Sequence, residues 1–271
     1  MMQYDPIKKT LGRIFTGPPF RRKLFYLLLD LLLLRAWHVS RKLKEISKLL
    51  PDDASVLDAG CGFGQYTWRM GRKNRNWTIR GIDIDSQHIA ECREFFASSA
   101  IGKRTSFHQQ DLTSLTDNDA FDLVLTVDVM EHINEDEKAF RNFYNALKNN
   151  GYLVISTPSD KGGSDVHDEN DKSFIDEHVR NGYGEEEIKQ KLSAAGFSNV
   201  TTQYTYGKPG SVSWRLSMKY PVKMLNISKL LFLILPLYYL MVLPVAFVLN
   251  AFDICMTHKS GTGLLVTANK Y

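Results

Sequence analysis

Cysteine is scarce in this 271-residue chain. Cys61, Cys92 and Cys255 form no C-x-x-C pair and show no Cys/His ligand spacing. So odd and scattered a set excludes a disulfide framework and a zinc site, and it points to a reducing compartment. Internal repeats and low-complexity linkers are also absent, which leaves one large core, or one core plus an appendage. The middle of the chain lacks basic character: residues 51–207 carry 16 Lys/Arg against 26 Asp/Glu. That argues against a general nucleic-acid binder, whose positive charge would cover the functional face. A secretory leader is not expected either. "RRKLFYLLLDLLLLRAW" from Arg21 has a basic start and an apolar run, but Asp30 interrupts the run. "HVSRKLKEISKLL" then follows where a small-residue cleavage site belongs.

The ends carry what the middle lacks. Residues 1–50 hold 11 Lys/Arg against 3 Asp/Glu, and residues 208–271 hold 7 against 1. Basic, leucine-rich flanks around an acidic middle suit a catalytic domain whose two ends meet an anionic membrane surface. Merely solvated ends are the alternative. Between Ser55 and Gly207 short apolar strands alternate with amphipathic helices. "SVLDAG", "WTIRGIDI", "TSFHQQ", "FDLVLTVDV", "YLVISTP" and "SNVTTQYTYG" read as strands, and "GLLVTANK" as a seventh. "QYTWRMGRK", "SQHIAECREFFASSA", "NEDEKAFRNFYNALKNN" (closed by Gly151) and "GEEEIKQKLSAAGF" read as helices. Strands apolar throughout, separated by helices, predict a doubly wound, mostly parallel α/β sheet covered on both faces.

The first strand runs into "LDAGCGFGQ". Gly60, Gly62 and Gly64 allow a tight turn and a close backbone approach to a ligand. A nicotinamide fingerprint would need glycine where Gln65 stands. Asp58 would repel a phosphate and could attract an ammonium or sulfonium. Asp83 ends the second strand, where a carboxylate can accept both ribose hydroxyls. Asp111 ends the third, near where an adenine amino group would lie, while Asp85 reads as a helix N-cap. Each acid alone is more simply a cap or loop residue. Three at successive strand ends beside a glycine loop point to a nucleoside carrying a cationic group.

These segments resemble the class I S-adenosylmethionine-dependent methyltransferases. "VLDAGCGFG", "GIDID", "HQQDL", "FDLVLTVDVMEHI" and "LKNNGYLVISTPS" match that family's motifs in order over residues 55–159. "EHI" after the fourth strand resembles the branch that includes quinone- and lipid-modifying enzymes. The resemblance implies S-adenosyl-L-methionine as cofactor and a Rossmann-like seven-stranded sheet whose last strand is antiparallel and inserts between the fifth and sixth. It implies that Asp58, Gly60, Gly62 and Gly64 line the methionine portion. Asp83 would hold the ribose, Ile84 the adenine face, and Asp111 with Leu112 the adenine edge. Val127 and Asp128 would border the transferring methyl. The candidates for the acceptor's proton are His178, in the region where the family builds its substrate lid, and His132; Asp128 completes the catalytic set. His132 could equally be a helix-start residue. "DKGGSDVHDENDK" gathers Asp165, His167, Asp168, Glu169 and Asp171, but a solvated acidic loop explains it better than a metal, and no metal is expected.

The chain thus divides into basic hydrophobic N-terminal helices (1–50), a cofactor-binding core (51–207), a hydrophobic helical insertion (208–258) and the last strand (259–271). The insertion contains twenty uncharged residues, Leu230–Leu249, long enough as a helix to cross a bilayer. A single crossing would strand "GLLVTANK" on the far side. Short helices bent at Pro236 and Pro244 fit better, packed with residues 20–37 as one platform edged by Arg21, Arg22, Lys23, Arg35, Lys219, Lys223 and Lys229. The expected function is methyl transfer to a hydrophobic, membrane-resident acceptor, with O-methylation of a quinone-like, polyene or lipid substrate favoured. The protein is expected on the cytoplasmic face of a membrane, attached on one side, or else in the cytoplasm. The alternatives are a soluble small-molecule methyltransferase, a dimer interface in place of the platform, and a binding subunit without turnover. No nucleic-acid partner is expected.

Overall fold

The computed structural model describes residues 19–162 and 179–271. Its strands are β1 (Ser55–Ala59), β2 (Thr78–Asp83), β3 (Thr105–Gln109), β4 (Phe121–Val127), β5 (Leu147–Pro158), β6 (Ser198–Thr205) and β7 (Gly263–Asn269). They form one sheet in the order β3-β2-β1-β4-β5-β7-β6. The first five pair in parallel, while β7 runs antiparallel between β5 and β6. This is the expected doubly wound architecture.

Both sheet faces are covered, which is why the central strands tolerate unbroken apolar runs. On one face Leu123 and Leu125 of β4 and Val56 of β1 pack with Val39, Leu43 and Ile46 of α2 (Leu34–Ile46) and Met70 of α3 (Gln65–Lys73). The other face buries Leu57, Val124 and Ile155 under Phe140 and Phe143 of α5 (Asp136–Ala146) and Leu192 of α6 (Glu185–Ala194). Each such side chain contributes about 1.5–3 kcal/mol. The helix expected over residues 134–150 stops at Ala146. Leu147 instead pairs with Phe121 of β4, and Asn150 turns with a φ of 64°. Lys270 fixes the change, since its Nζ donates to the Leu147 carbonyl at 2.7 Å. Tertiary pairing overrides a helical pattern here.

The helix α1 (Pro19–Leu32) is separated from α2 by Leu33, which is extended. Its polar stripe faces α3. Asp30 accepts from Gln65 Nε2 at 2.7 Å and pairs with Arg69 at 2.6 Å, and Lys23 lies over the Trp68 ring. Phe25 and Tyr26 pack with Trp68, Phe95 and Phe96 beside α4 (Ser86–Ala97). Phe20, Leu24, Leu27 and Leu31 are left exposed. Lys23 stays exposed at this contact, so α1 buries Phe25 and Tyr26 and shows both charge and leucine to the outside.

The insertion is a helical hairpin. The outgoing leg runs through α7 (Lys208–Trp214), a π-helical turn at Arg215–Lys219 and α8 (Tyr220–Ile227). A 3-10 turn at Lys229–Leu233 forms the tip, and α9 (Leu235–Cys255) returns. The legs are joined by hydrogen bonds from Ser213 Oγ to the Ala246 carbonyl (3.1 Å), Tyr238 to Leu216 (2.7 Å) and Tyr239 to Ser217 (3.0 Å). Pro236 sits in the first turn of α9, where proline is tolerated. Pro244 lies inside the helix, so the 21-residue return leg is longer than the two prolines led the sequence reading to expect. The same residues that could cross a bilayer by length and composition are largely uncovered, only 17% of the apolar window being buried. The tip residues Ile227, Leu230 and Leu233 are 77–83% exposed.

Two of the expected rim cations are not on the rim. Arg22 is buried and pairs with Glu91 at 3.1 Å. Arg35 pairs with Asp128 at the end of β4, both side chains mostly covered. α2 meets the hairpin: Trp37 stacks on Phe247, and His38 Nε2 meets Asp253 Oδ1 at 2.8 Å.

Candidate functional site

The carboxyl ends of β1 to β4 gather the sequence-nominated residues along one edge of the sheet. The turn after β1 needs glycine. Gly60 has a φ of 79°, and a Cβ there would lie 2.3 Å from Val129 Cγ2. Gly62 (φ 48°) has nothing within 4 Å of the Cβ position, so the loop backbone faces open space that a ligand can fill. The Gly60 and Cys61 N–H groups donate to the Ile82 carbonyl at 2.8 and 2.9 Å, tying the loop to β2. Gly64 (φ 78°) closes the turn and starts α3.

Asp83 is central to this loop. Its Oδ2 accepts from the Gly62 N–H at 2.8 Å and its Oδ1 from the Asp85 N–H at 2.9 Å. A carboxylate offers about four acceptor positions, so both oxygens retain capacity for two hydroxyls. Asp85 caps α4, accepting from the Gln87 and His88 N–H groups at 2.8 and 3.3 Å. Ile84 stands between them 69% exposed, an apolar surface at the strand end. Asp111 accepts from Thr113 N–H and Oγ1 at 2.8 and 2.9 Å. It caps the short turn Leu112–Ser114, with Leu112 buried.

Asp58 is buried and accepts from Thr67 Oγ1 at 2.6 Å. Burial pushes its pKa up to about 6 against the hydrogen bonds from Thr67, and the nearby Asp83 charge adds to the rise. Val127 ends β4. Asp128 then takes a φ of 53°, costly for a non-glycine residue. It is held there by its N–H bond to Ser156 O (2.8 Å) and by Arg35. His132 is exposed in the turn Met130–His132 that follows. Its neighbour Glu131 is buried and accepts from Thr157 Oγ1 at 3.2 Å. His178 lies outside the described residues, as do Asp165, His167, Asp168, Glu169 and Asp171. Among the described residues no group of His, Cys, Asp and Glu is arranged for a metal.

Several contributors escaped the sequence reading. Arg22 Nη2 donates to the Phe63 carbonyl at 2.9 Å, and Tyr26 also bonds that carbonyl, so α1 grips the glycine loop from outside. The Tyr66 hydroxyl, just after the loop, is buried with no protein partner. Asp136 accepts from Tyr183 OH and Lys191 Nζ, both at 2.8 Å, and pairs with Arg180. Burial opposes ionisation of Asp136, but these bonds and charges outweigh it and hold its pKa low. No local motif announces such contacts, because the partners are dozens of residues apart.

The open glycine cradle, the Asp83 acceptors and the exposed Ile84 fit a nucleoside with an amino-acid tail. The comparisons agree. The Methyltransferase domain family matches residues 50–203. A carboxy-S-adenosyl-L-methionine synthase of Shewanella woodyi is 30% identical over 150 residues, covering 54% of this chain and 62% of that protein. A phosphoethanolamine N-methyltransferase of Triticum aestivum is 29% identical over 151 residues, 55% of this chain and 28% of that one. The chain thus spans less than two thirds of either relative. Among solved structures, phosphoethanolamine N-methyltransferase 2 of Haemonchus contortus superposes with a TM-score of 0.58 at 19% identity, over 85% of this chain and 52% of the other; that likeness is one of fold. The chain belongs to the class I S-adenosylmethionine-dependent methyltransferases.

Proposed function

We propose that this protein transfers a methyl group from S-adenosylmethionine to a hydrophobic acceptor that resides in a membrane. The observation that carries the reading is the exposed apolar surface: α1, the hairpin tip and α9 expose Leu24, Leu27, Leu230, Leu233, Leu240 and Met241 on the outside of a chain that has a buried core of its own. A soluble monomer rarely keeps so large an apolar patch. Lys223 and Lys229 flank the tip, exposed, and each cation near anionic lipid is worth about 1 kcal/mol. Both ends of the hairpin meet the same sheet, β6 before it and β7 after it. Attachment from one side therefore suits the topology better than a crossing. The catalytic domain and the cofactor would then lie on the cytoplasmic face.

The cofactor supplies an activated methyl group; the chain must bind it, align the acceptor and accept the acceptor's proton. Asp58, the glycine loop, Asp83, Ile84, Asp111, Leu112 and Val127 are the proposed cofactor contacts. Asp128, His132 and His178 are the candidates on the acceptor side. An oxygen acceptor on a quinone-like, polyene or lipid molecule is favoured. The test is mass spectrometry of lipid extracts from cells with and without the gene. A lipid-soluble species heavier by one methylene in the presence of the gene is expected; identical lipid profiles would count against the reading. The match to a phosphoethanolamine N-methyltransferase favours a second reading, a water-soluble amine acceptor, and a new methylated species in the aqueous extract would support it.

A further inference from the structure

The two legs of the hairpin meet along a polar seam. Ser213 Oγ donates to the Ala246 carbonyl at 3.1 Å, the Gly210 N–H to Asp253 Oδ2 at 2.9 Å, and the Tyr239 hydroxyl to the Ser217 carbonyl at 3.0 Å. Gly210, Ser213, Ser217, Ala246 and Asp253 are buried, as is Asn250, one turn on from Ala246. Two helices pairing in water would do the reverse, with leucines in the seam and serines outside. Small residues and hydrogen-bonding side chains between helices are the packing of a lipid medium, where apolar side chains gain nothing by facing each other.

The two outer sides of the hairpin differ in chemistry. On the outgoing leg Ser213, Ser217 and Pro221 are buried, each four residues after the last. Arg215, Lys219 and Lys223 repeat at the same interval, displaced by two residues, which is about half a helical turn. That row therefore lies on the side of the leg away from α9. On α9 the buried residues Ala246, Asn250 and Asp253 face the outgoing leg, and Leu237, Met241, Val245, Val248 and Phe252 line the opposite side, all more than half exposed. From Leu237 to Phe252 this stripe runs about 22 Å. The one acidic residue of segment 208–258, Asp253, is buried in the seam. The hairpin is a two-helix layer, basic on one side and apolar on the other.

We propose that the hairpin lies flat in one leaflet of an anionic phospholipid membrane, with α9 among the acyl chains and the Arg215, Lys219 and Lys223 row at the lipid phosphates. Packed helices are about 8–10 Å apart, so an immersed α9 leaves the outgoing leg at headgroup level. The long stems of arginine and lysine let their charges settle on the phosphates. Entry tip-first would carry Lys219, Lys223 and Lys229 into hydrocarbon, a costly place for a charge. It would also need more depth than one leaflet gives, about 15 Å against the 22 Å of the stripe. The flat pose has a functional consequence. The hairpin leaves β6 after Thr205 and rejoins β7 at Gly263, which pairs with both Thr205 and Pro158. Both roots are thus at the carboxyl edge of the parallel strands, the cofactor edge, and a flat hairpin holds that edge against the membrane surface. This inference rests on the membrane reading above and adds the lipid class and the pose.

The test uses the full chain with Cys255→Ser, since Cys61 and Cys92 are buried. An environment-sensitive fluorophore is attached at Leu237→Cys, Val248→Cys or Arg215→Cys, and the protein is mixed with vesicles of phosphatidylcholine and phosphatidylserine whose acyl chains carry bromine. The labels at Leu237 and Val248 should be quenched alike, and the label at Arg215 little. Quenching at Leu237 with none at Val248 would mean entry by the tip and would overturn the pose. In a second arm, the combined Arg215→Gln, Lys219→Gln, Lys223→Gln variant should bind the mixed vesicles about 100-fold more weakly, the sum of three charges near anionic lipid. Its binding to vesicles of phosphatidylcholine alone should be unchanged. Equal losses on the two kinds of vesicle, or no loss on either, would refute the phosphate contact; the fluorophore arm stands even if this variant folds poorly. Labels on α9 that are shielded without vesicles, in a dimer that grows with protein concentration, would assign the apolar side to a second copy and overturn the proposal. A wild-type protein that binds neither kind of vesicle would refute the membrane reading itself.

Discussion

Two neighbouring aspartates show how position separates chemistry from capping. Asp83 is bonded to the glycine loop and faces the cradle, whereas Asp85 holds the first turn of α4. Asp83→Ala should therefore cost cofactor affinity, by about 1.5–3 kcal/mol for each charged hydrogen bond lost. Asp85→Ala should cost about 1 kcal/mol of stability and leave affinity nearly intact; similar cofactor affinity in the two variants would refute the assignment. Asp58 carries a pH signature. Its folded pKa, about 6, stands above the ordinary carboxylate value of 3.8, so the folded state binds the extra proton between the two. Stability from this group is highest below the lower value and falls as pH rises through the window, by about 3 kcal/mol in all. Asp58→Asn should remove that fall: denaturant titrations should show the ligand-free variant at least as stable as wild type at pH 7.5, with weaker cofactor binding. A variant destabilised at pH 7.5 yet equal at pH 4 would contradict this. The motif residues were legible because a glycine loop and strand-end acids are local features. Arg35 and Tyr66 were not, since the first acts across 93 positions of sequence, on Asp128, and the second is identified only by what its hydroxyl fails to meet.

At the scale of elements, the strands followed from apolar runs, and the antiparallel insertion of β7 from the family resemblance. The ends of α5 did not, because Lys270 and β4 claim Leu147 from the far end of the chain. The helices at the chain's start reveal more. The stripe of Lys23 and Asp30 was visible in the sequence, but its direction was not: charges on α1 point toward α3, and the leucines point away. The glycine loop begins well after residues 24–34 in sequence, yet Tyr26 bonds its Phe63 carbonyl and Asp30 holds Gln65 and Arg69. Deleting residues 24–34 should therefore weaken cofactor binding as well as membrane attachment, in calorimetry and vesicle flotation respectively. Unchanged cofactor affinity in the deletion would show that α1 is only an anchor. The hairpin tip separates the two roles. Leu230→Glu with Leu233→Glu should abolish flotation with anionic vesicles and leave cofactor affinity and melting temperature within error, because both residues are already 77–78% exposed.

For the whole molecule, the charge pattern and the surface combine an acidic catalytic middle, basic flanks, and exposed apolar side chains on α1, the hairpin tip and α9. Wild-type protein should fractionate with membranes, resist extraction by salt and be released by detergent, because apolar contact is not screened by ions. The central claim, methyl transfer to a membrane-resident acceptor, is tested most directly by following the label. Protein, S-adenosylmethionine carrying a tritiated methyl group, and vesicles made from a total lipid extract of the source cells are incubated together and partitioned between organic solvent and water. The account predicts tritium in the organic phase for the wild-type protein and a loss of most of it for the Leu230→Glu, Leu233→Glu variant, with cofactor binding equal in the two. Tritium confined to the aqueous phase, or equal organic-phase labelling by wild type and variant, would contradict it.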